Sequence, residues 1–285
     1  MTGPVLIVGV GGRLGRALHE ARPETTVGLS RAALDITDAH QIAAALDRLS
    51  PLAVINAAAM AAVDACETDF DAAVWVNGLG PGLLAEACAA RALPFIHVST
   101  DYVFGAEGHD RPRRETDSPC PINAYGRSKL LGEERVLATG GRSVIVRTAW
   151  LFGFKGDFID RMAQKALQHA PLQITEQKGS PTPVRTLAGA LLQLADRLTA
   201  GAEAPAVLHL AGAPVTTRAD WVERALLAAA PGQAVIERVS GEAFAHIGAA
   251  RPSGTPLDCS LAATVFDLSI DWRPAAEAYR LEKGP

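Results

Sequence analysis

Tyr125 and Lys129 are the two side chains whose types and spacing best suit proton transfer in this sequence. Residues four apart share one face of a helix, so the phenol and the ammonium would be neighbours. Reduction of a ketone needs a hydride and a proton for the forming alkoxide. A free phenol, with a pKa of about 10, donates poorly near neutrality, and a neighbouring cation moves that pKa toward a useful value. The pair predicts the acid of a reducing centre, with Lys129 also binding the ribose hydroxyls of a nicotinamide cofactor.

Y-x-x-x-K spacing is also common on exposed helices, so its surroundings matter. Ser99 and Thr100 fall where a predicted strand ends, at the edge where α/β sheets place their ligands. A hydroxyl there can hydrogen-bond to a substrate carbonyl. Two roles are predicted for Asp101, with neither favoured: a contact with the substrate or a cap of the local turn. Tyr102 is predicted as a substrate contact, with packing as the alternative.

Trp150 ends the next predicted strand at the same edge of the sheet. Its flat apolar ring is of the kind that stacks on a sugar. Packing in the core is the alternative role for this side chain. We include Trp150 among the predicted substrate contacts.

A glycine-rich turn follows the first apolar strand and opens a helix. Glycines at this spacing permit a tight turn and close approach of a pyrophosphate, while the helix N-terminus faces the anion. A merely structural turn is the alternative for such a triplet. The cofactor contacts predicted from this loop are Gly9, Gly12, Arg13, Leu14 and Gly15.

The end of the second strand carries Ser30 and Arg31 and no acidic residue. An acid there would bind the ribose 2′-hydroxyl and repel a 2′-phosphate, whereas a hydroxyl followed by a guanidinium can hold the phosphate. We therefore expect NADPH, with NADH as the second option. The alternative is that Arg31 is a solvated loop charge.

Three further positions complete the predicted cofactor site. Asp35 could approach the adenine, whereas Asp38 is predicted to be the N-cap of the next helix. Ala57 and Ala58 follow the third strand, where small residues let backbone lie against the cofactor.

Short β-branched runs alternate with alanine-rich segments whose apolar residues recur at helical spacing. This order predicts an α/β fold with a doubly wound parallel sheet, the Rossmann architecture. The predicted strands are residues 5–8, 26–29, 53–57, 95–98 and 143–147, and the predicted helices are residues 13–21, 39–49, 72–90 and 125–137.

After residue 150 the pattern is less regular. It predicts a helix over 157–169, a strand over 172–175, a loop over 178–183, a helix over 186–198 and a strand over 207–210. We predict a Rossmann domain of residues 1–152 plus about 178–212. A smaller α/β substrate-binding domain would comprise about 153–177 plus 213–285.

Composition bounds the function classes. The 285 residues are 48% hydrophobic and 20% charged, as is ordinary for a globular protein, and the formal net charge of −4 favours no nucleic acid partner. The four cysteines are scattered, which predicts reduced thiols and no metal site. The first apolar run is too short for a signal peptide or a membrane span, so we expect a cytoplasmic protein with no membrane partner.

The sequence resembles the dTDP-4-dehydrorhamnose reductase family of extended short-chain dehydrogenases/reductases. The matching stretches are the glycine loop and residues 34–38, 56–59, 63–64, 76–77, 99–104, 115–117, 125–129, 147–150, 179–182 and 251–253. The resemblance implies a catalytic triad of Thr100, Tyr125 and Lys129, and it places Val63 among the substrate contacts.

The resemblance implies NADPH-dependent reduction of a nucleotide-linked 4-keto-6-deoxy sugar, most directly dTDP-4-dehydrorhamnose to dTDP-L-rhamnose. A homodimer is compatible with it. Another nucleotide-sugar ketoreductase or an epimerase of the same fold is the first alternative. A non-catalytic NADP-binding regulator is the second, because the family also resembles a regulatory subunit of methionine adenosyltransferase. The intact catalytic set argues against the regulator.

The sequence departs from the family pattern at four places that bear on the substrate. Met60 and Ala61 replace an aromatic residue or histidine followed by threonine. Gly105 and Ala106 replace an acid or proline followed by glycine. Lys178 stands where an apolar or aromatic residue is frequent, and Gly254 where asparagine usually follows Arg-Pro-Ser. The sugar and the nucleotide carrier therefore stay open at this point.

Overall fold

The structure is a computed structural model that describes residues 3–105, 111–232, 234–241 and 248–279. Ala106, at one of the family departures, lies outside the described residues. The strands are β1 (Val5–Val8), β2 (Thr26–Leu29), β3 (Ala53–Asn56), β4 (Phe95–Thr100), β5 (Ser143–Thr148), β6 (Leu151–Phe152), β7 (Leu172–Thr175), β8 (Lys178–Gly179), β9 (Thr182–Pro183), β10 (Val207–His209), β11 (Gly212–Ala213), β12 (Thr216–Thr217), β13 (Ile236–Val239) and β14 (Ile270–Asp271).

The helices alternate with these strands through the first half of the chain. They are α1 (Arg13–Ala21), α2 (Ala39–Leu49), α3 (Val63–Thr68), α4 (Phe70–Ala73), α5 (Gly80–Ala89), α6 (Ala124–Ala138), α7 (Phe158–Leu167), α8 (Val184–Thr199), α9 (Arg218–Ala229), α10 (Ser260–Phe266) and α11 (Arg273–Glu277). A π-helical turn over Val74–Leu79 joins α4 to α5, and a 3-10 turn over Asp101–Val103 follows β4.

A six-stranded parallel sheet in the order β10-β5-β4-β3-β1-β2 forms the centre of the molecule. Strands β1 and β3 are buried at every position, as expected for a sheet covered on both faces. One apolar cluster packs α1 and α8 on one face, and a second packs α2 and α5 on the other. The prediction of a doubly wound parallel sheet is confirmed.

The sheet register aligns the strand ends that carry the polar residues. Asn56 at the end of β3 pairs with His97 of β4, and Thr100 at the end of β4 pairs with Thr148 of β5. Parallel strands present their carboxyl ends at one edge, so these residues share the edge at which the glycine turn after β1 also lies.

A separate apolar cluster is built from α7, β7, α9 and the C-terminal α11 around the buried Trp221. We propose that this cluster is the core of the substrate-binding unit. Helix α10, which falls within the predicted second unit, instead packs against the first core through Ala262 and Phe266. The chain thus returns to the first core between α9 and α11.

The structure differs from the predicted elements in three places. The single helix predicted over 72–90 is interrupted by the π-helical turn, and the loop predicted over 178–183 contains β8 and β9. Strand β4 extends two residues beyond the prediction, to Thr100. Among the described residues, none of the helices has the length and apolarity that crossing a membrane requires.

Candidate active site

Helix α6 is seated on the carboxyl edge of the sheet by the contacts at its first turn. Asn123 caps the helix, its Oδ1 accepting a hydrogen bond of 2.8 Å from Gly126 N. Gly126 is needed because a Cβ there would lie 2.1 Å from the Tyr102 carbonyl oxygen. The close approach places Tyr125 beside the end of β4, with its ring centroid 5.8 Å from that of Tyr102.

The Thr100 hydroxyl lies near the Tyr125 phenol, close enough to influence its pKa. Burial raises the pKa of the Tyr125 phenol above its ordinary value, and the nearby Thr100 hydroxyl partly opposes this. Burial therefore moves the phenol pKa opposite to the direction in which a neighbouring cation alone would move it. Because Thr100 is itself buried, the phenol holds its proton in a site with little water.

Lys129 lies one turn farther along α6 and is only 1% exposed. Its Nζ donates to Val98 O at 2.8 Å and lies 3.2 Å from His97 Nε2. Burial lowers the pKa of Lys129 to about 8, and the nearby Glu133 carboxylate opposes that shift. The amine can therefore change its charge close to physiological pH.

Asp101 is a buried carboxylate that couples Thr100 to the C-terminal part of the chain. It accepts hydrogen bonds from the hydroxyls of Thr255 at 2.5 Å and Thr100 at 3.1 Å. Burial raises the pKa of Asp101 to about 6, although both hydroxyls oppose the rise. In the structure Asp101 holds Thr100 in place, and a contact with substrate stays a prediction.

Ser99 belongs to a different buried network. Its hydroxyl donates to Glu133 Oε1 at 2.5 Å, and the same carboxylate pairs with Arg147 at 2.6 Å. Because successive residues of a strand point to opposite faces, the Thr100 side chain points away from this network. The Ser99 hydroxyl is already bonded to Glu133, and its contact with a substrate stays a prediction.

The glycine turn has the shape of an anion cradle. Gly9 has φ +90, and a Cβ there would lie 2.6 Å from Ala58 N, so the turn after β3 packs directly on it. A Cβ at Gly15 would lie 2.2 Å from Gly9 O, so α1 can approach only without a side chain at this position. Gly12 is the N-cap of α1, without a side-chain cap or an acidic residue in the first turn. These residues fit a dinucleotide pyrophosphate at the helix N-terminus.

A cleft of about 1240 Å³ runs from Tyr102 along β7 to the segment 249–253. Arg218 and Arg251 both line this cleft. Arg218 donates to Gln177 Oε1 at 2.7 Å, and Gln177 Nε2 donates to Pro252 O at 2.8 Å. Tyr102, which neighbours Tyr125, lies at one end of the cleft, and the two arginines line it, so the cleft begins beside the reducing centre. Its volume is suited to a nucleotide sugar.

Known proteins share both this fold and these motifs. Residues 2–282 match the family described as RmlD substrate binding domain. The chain belongs to this family. A dTDP-4-dehydrorhamnose reductase of Mycolicibacterium smegmatis is 38% identical over 96% of this chain and 84% of its own length. A dTDP-4-keto-6-deoxy-D-glucose reductase of Streptomyces niveus is 39% identical over 68% of this chain and 69% of its own length.

A solved structure of the same family adds a cofactor-bound example. The dTDP-4-dehydrorhamnose reductase of Bacillus anthracis str. Ames, in complex with NADP, superposes with a TM-score of 0.86. The sequences are 28% identical, and the alignment covers 97% of this chain and 98% of the other. The predicted family resemblance and α/β fold are thus confirmed.

Trp150 of this family member is packed on more than one side. The Arg218 guanidinium lies 4.1 Å from the Trp150 ring centroid, and the ring of Trp221 lies 5.7 Å away. Gly179 lies so close to the Trp150 ring that a Cβ there would approach it to 2.2 Å. The structure gives Trp150 the packing role that was the alternative, and stacking on a sugar stays a prediction.

The remaining predicted cofactor residues belong to the glycine loop or to the segment after β2. Arg13 lies over the Phe154 ring at 4.2 Å, whereas the Leu14 side chain is buried in the core, which leaves only its backbone for a cofactor. Arg31 is exposed, and Ser30 lies beside the glycine turn, 3.9 Å from the position of a Cβ at Gly11. Cofactor contact by these residues stays a prediction.

Asp35 and Asp38 both act as local caps. Asp38 accepts hydrogen bonds from His40 N and Gln41 N, so its predicted role as N-cap of α2 is confirmed. Asp35 accepts from both the backbone and the hydroxyl of Thr37, and these bonds lower its pKa. The Asp35 carboxylate is thereby partly committed, and its approach to an adenine stays a prediction.

The turn after β3 packs on the glycine turn and leads to Met60. Ala57 and Ala58 are half-buried, as predicted for backbone against a cofactor. Met60 is held by Asn77, whose Oδ1 accepts from Met60 N at 2.8 Å. Its side chain packs against the same small apolar cluster as Tyr125, formed by Cys66, Ala73 and Ala124. Met60 is thus an apolar residue on this cluster, where the family pattern has an aromatic residue or histidine.

Three other positions, the predicted Val63 and the departures Lys178 and Gly254, lie near the cleft. Val63 is half-buried at the first position of α3, while its neighbour Asp64 pairs with Arg251 at 3.0 Å. Lys178 and Gly254 form a backbone bridge, in which a Cβ at Gly254 would lie 3.1 Å from Lys178 O. The departures at 178 and 254 are therefore neighbours in space.

The sequence reasoning missed the polar groups that surround the triad. His97 and Asn56 were visible only as strand-end residues, and Arg218 carried no motif at all. Arg251 belonged to a quoted family stretch without a role. Across the described ranges, no cluster of three histidine, cysteine or acidic side chains could hold a metal ion.

Proposed function

We propose that this chain is an NADPH-dependent reductase of a nucleotide-linked 4-keto-6-deoxy sugar, converting dTDP-4-dehydrorhamnose to dTDP-L-rhamnose. The observation that carries the proposal is the juxtaposition of three residues: Tyr125 lies beside the end of β4, the Thr100 hydroxyl is near enough to influence the phenol pKa, and Lys129 is one turn away on α6. The relative from M. smegmatis carries the name of this activity, and the B. anthracis structure was solved with NADP. NADH is the second option for the cofactor.

The cofactor residues would act through shape and charge. The α1 N-terminus at Gly12 would bind the pyrophosphate, and Ser30 and Arg31 would hold the ribose 2′-phosphate. Lys129 would bind the nicotinamide ribose hydroxyls. When bound, NADPH supplies the hydride that adds to the carbonyl carbon.

Tyr125 would deliver the proton. Its neutral phenol, kept protonated by burial, donates to the carbonyl oxygen as that oxygen becomes an alkoxide. Thr100 hydrogen-bonds to the same oxygen and orients it. A protonated Lys129 stabilises the phenolate that remains.

The cleft would bind the nucleotide part of the substrate. Arg218 and Arg251 place two cationic side chains along its wall, suited to the two negative charges of a diphosphate. Tyr102 lines the cleft next to Tyr125, which positions it to contact the sugar. The S. niveus relative carries the name of a different dTDP-sugar reductase, so a related 4-keto sugar is the first substrate to compare.

The test is oxidation of NADPH by purified Tyr125→Phe in the presence of dTDP-4-dehydrorhamnose. Loss of a positioned general acid should reduce kcat by about 10²- to 10⁴-fold. Tyr102→Phe is the matched control, since it removes a neighbouring hydroxyl without removing the acid, and it should act mainly on KM. An unchanged kcat in Tyr125→Phe would refute the assignment of the acid.

A non-catalytic regulator is separated from the reductase by thermal shift. The reductase predicts stabilisation by NADPH and by dTDP-sugars, because a ligand that binds only the folded state raises Tm. Stabilisation solely on mixing with a protein partner would favour the regulator. A cytoplasmic location and a homodimer complete the proposal.

A further inference from the structure

A buried line of hydrogen bonds runs behind Lys129. Ala58 N donates to Asn56 Oδ1 at 3.0 Å, Asn56 Nδ2 lies 3.2 Å from His97 Nδ1, and His97 Nε2 lies 3.2 Å from Lys129 Nζ. Asn56 and His97 are both 0% exposed. The line connects the turn after β3 to the reducing centre, and its three side chains, those of Asn56, His97 and Lys129, are buried.

The direction of this line follows from its first bond. A backbone N–H can only donate, so the atom of Asn56 that faces Ala58 is the oxygen, and its NH₂ group faces His97. The NH₂ group can also only donate, so His97 Nδ1 must accept. A neutral imidazole that accepts at Nδ1 carries its proton on Nε2. That proton points at Lys129 Nζ, which can accept it only as an uncharged amine.

If Lys129 were charged, its ammonium and the Nε2–H group of His97 would both be donors and would face each other at 3.2 Å. A second proton on His97 would not relieve the conflict, because both ring nitrogens would then be donors. Burial and the neighbouring Lys129 also hold the pKa of His97 well below its ordinary value. On α6, the carboxylate of Glu133 favours the ammonium of Lys129. Glu133 is neutralised in part by Arg147 at 2.6 Å. From β4, Val98 O accepts from Nζ in either charge state.

We propose that His97, with its tautomer selected by Asn56, is a positioning residue that favours the uncharged amine of Lys129 and so sets the pH above which the reducing centre loses its cation. This inference rests on the proposed function, in which a charged Lys129 supports the phenolate. It assigns to His97 and Asn56 a role in the pH dependence of the reaction rather than a contact with substrate.

The first experiment measures the pH profile of kcat/KM for His97→Gln. A glutamine amide can turn its oxygen toward Lys129 and remove the conflict. The basic limb of the profile, where kcat/KM declines at high pH, should therefore move up by about one pH unit. Asn56→Asp reaches the same end by a second route. Its carboxylate can accept from both Ala58 N and His97 Nδ1–H, which leaves Nε2 free to accept from the ammonium.

His209→Gln is the matched control. His209 is also 0% exposed in the same sheet, but it lies against Arg147 NH1 at 3.4 Å and the Arg113 carbonyl oxygen at 3.1 Å. Its substitution disturbs the core in a similar way, and the basic limb should stay at the wild-type position. A purely structural role for His97 would lower the rate and leave the limb in place.

The second experiment uses the unmodified protein. Nitrogen-15 NMR of histidine-labelled protein, without substrate, should show His97 as the Nε2–H tautomer near neutral pH. A neutral His97 protonated on Nδ1 would overturn the inference. It would also be overturned if the wild type is active and the high-pH decline of kcat/KM in both His97→Gln and Asn56→Asp stays at the wild-type pH. A wild type that reduces no dTDP-4-keto sugar would instead refute the proposed function, since the tautomer does not depend on substrate.

Discussion

The cofactor loop, residues 9–15, and the substrate cleft lie at the same edge of the sheet but are built by different means. In the loop, the decisive contact joins Gly15 to the carbonyl oxygen of Gly9, six positions earlier in the chain. In the cleft, the hydroxyl of Thr255 reaches Asp101 across a sequence separation of 154 residues. The loop is shaped by local sterics, whereas the cleft depends on pairs that only the folded chain brings together.

This difference predicts how each region responds to substitution. A change in the loop should act on cofactor binding through backbone geometry. A change in the cleft should act on substrate binding or on stability through charged and hydrogen-bonded partners. Variants that produce the opposite pattern would break the comparison.

The largest expected effect concerns the buried Asp101. Its folded pKa of about 6 exceeds the ordinary 3.8, so between these pH values the folded protein holds a proton that the unfolded chain releases. The stability contributed by this group is therefore lost as pH rises through the window, by about 3 kcal/mol. Asp101→Asn should remove most of the pH dependence of the unfolding free energy between pH 4 and pH 6.5 (roughly the same window), measured by urea denaturation.

Thr255→Val sharpens this prediction. It removes the hydroxyl whose hydrogen bond lowers the pKa of Asp101, so the loss of stability should continue to higher pH than in the wild type. Identical slopes in the wild type and Asp101→Asn would show that Asp101 does not control the pH dependence.

The second effect belongs to the cofactor loop. Gly15→Ala forces a Cβ to within 2.2 Å of the Gly9 carbonyl oxygen, and backbone must shift to accept it. Such overpacking costs about 2 kcal/mol, which corresponds to roughly 30-fold weaker NADPH binding if the shift falls on the pyrophosphate cradle. Fluorescence titration of NADPH measures this change.

Gly11→Ala is the control for the loop. A Cβ at Gly11 meets only Ser30 Cβ at 3.9 Å, which is an ordinary contact distance. Its NADPH affinity should stay close to that of the wild type. Equal losses in Gly11→Ala and Gly15→Ala would contradict the steric explanation.

The smallest effect concerns the Asp64–Arg251 pair, which ties α3 to the wall of the cleft at 3.0 Å. The side chain of Asp64 is 63% exposed and that of Arg251 is 39% exposed, so the pair is worth about 1 kcal/mol or less and weakens with salt. Asp64→Asn should raise the KM for the dTDP-sugar by about threefold and leave the NADPH affinity unchanged.

Asp271→Asn provides the matched control for that pair. It breaks a similarly exposed ion pair, with Arg273 at 2.8 Å, in a segment that does not line the cleft. Its KM should equal that of the wild type. A KM effect of the same size in both variants would mean that Asp64 acts through general stability.

Local patterns predicted much of this molecule. The period of the apolar residues indicated the strands and helices of the Rossmann sheet, and the spacing of Tyr125 and Lys129 placed both on α6. Local patterns were insufficient where the answer depended on a partner. They did not indicate that the hydroxyl of Ser99 donates to Glu133, and the predicted helix over 72–90 contains a π-helical turn in which Asn77 holds Met60.

The sequence by itself determined the sheet, the glycine cradle and the types of residue at the reducing centre, because these follow from periodicity and from contacts only a few residues apart. Only the tertiary structure decided the protonation of that centre. The pKa values of Tyr125, Lys129 and Asp101 are moved chiefly by burial, and the direction of the hydrogen bonds behind Lys129 depends on residues of β3 and β4. Burial and hydrogen-bond direction are properties of the packed chain, and no spacing in the sequence specifies them.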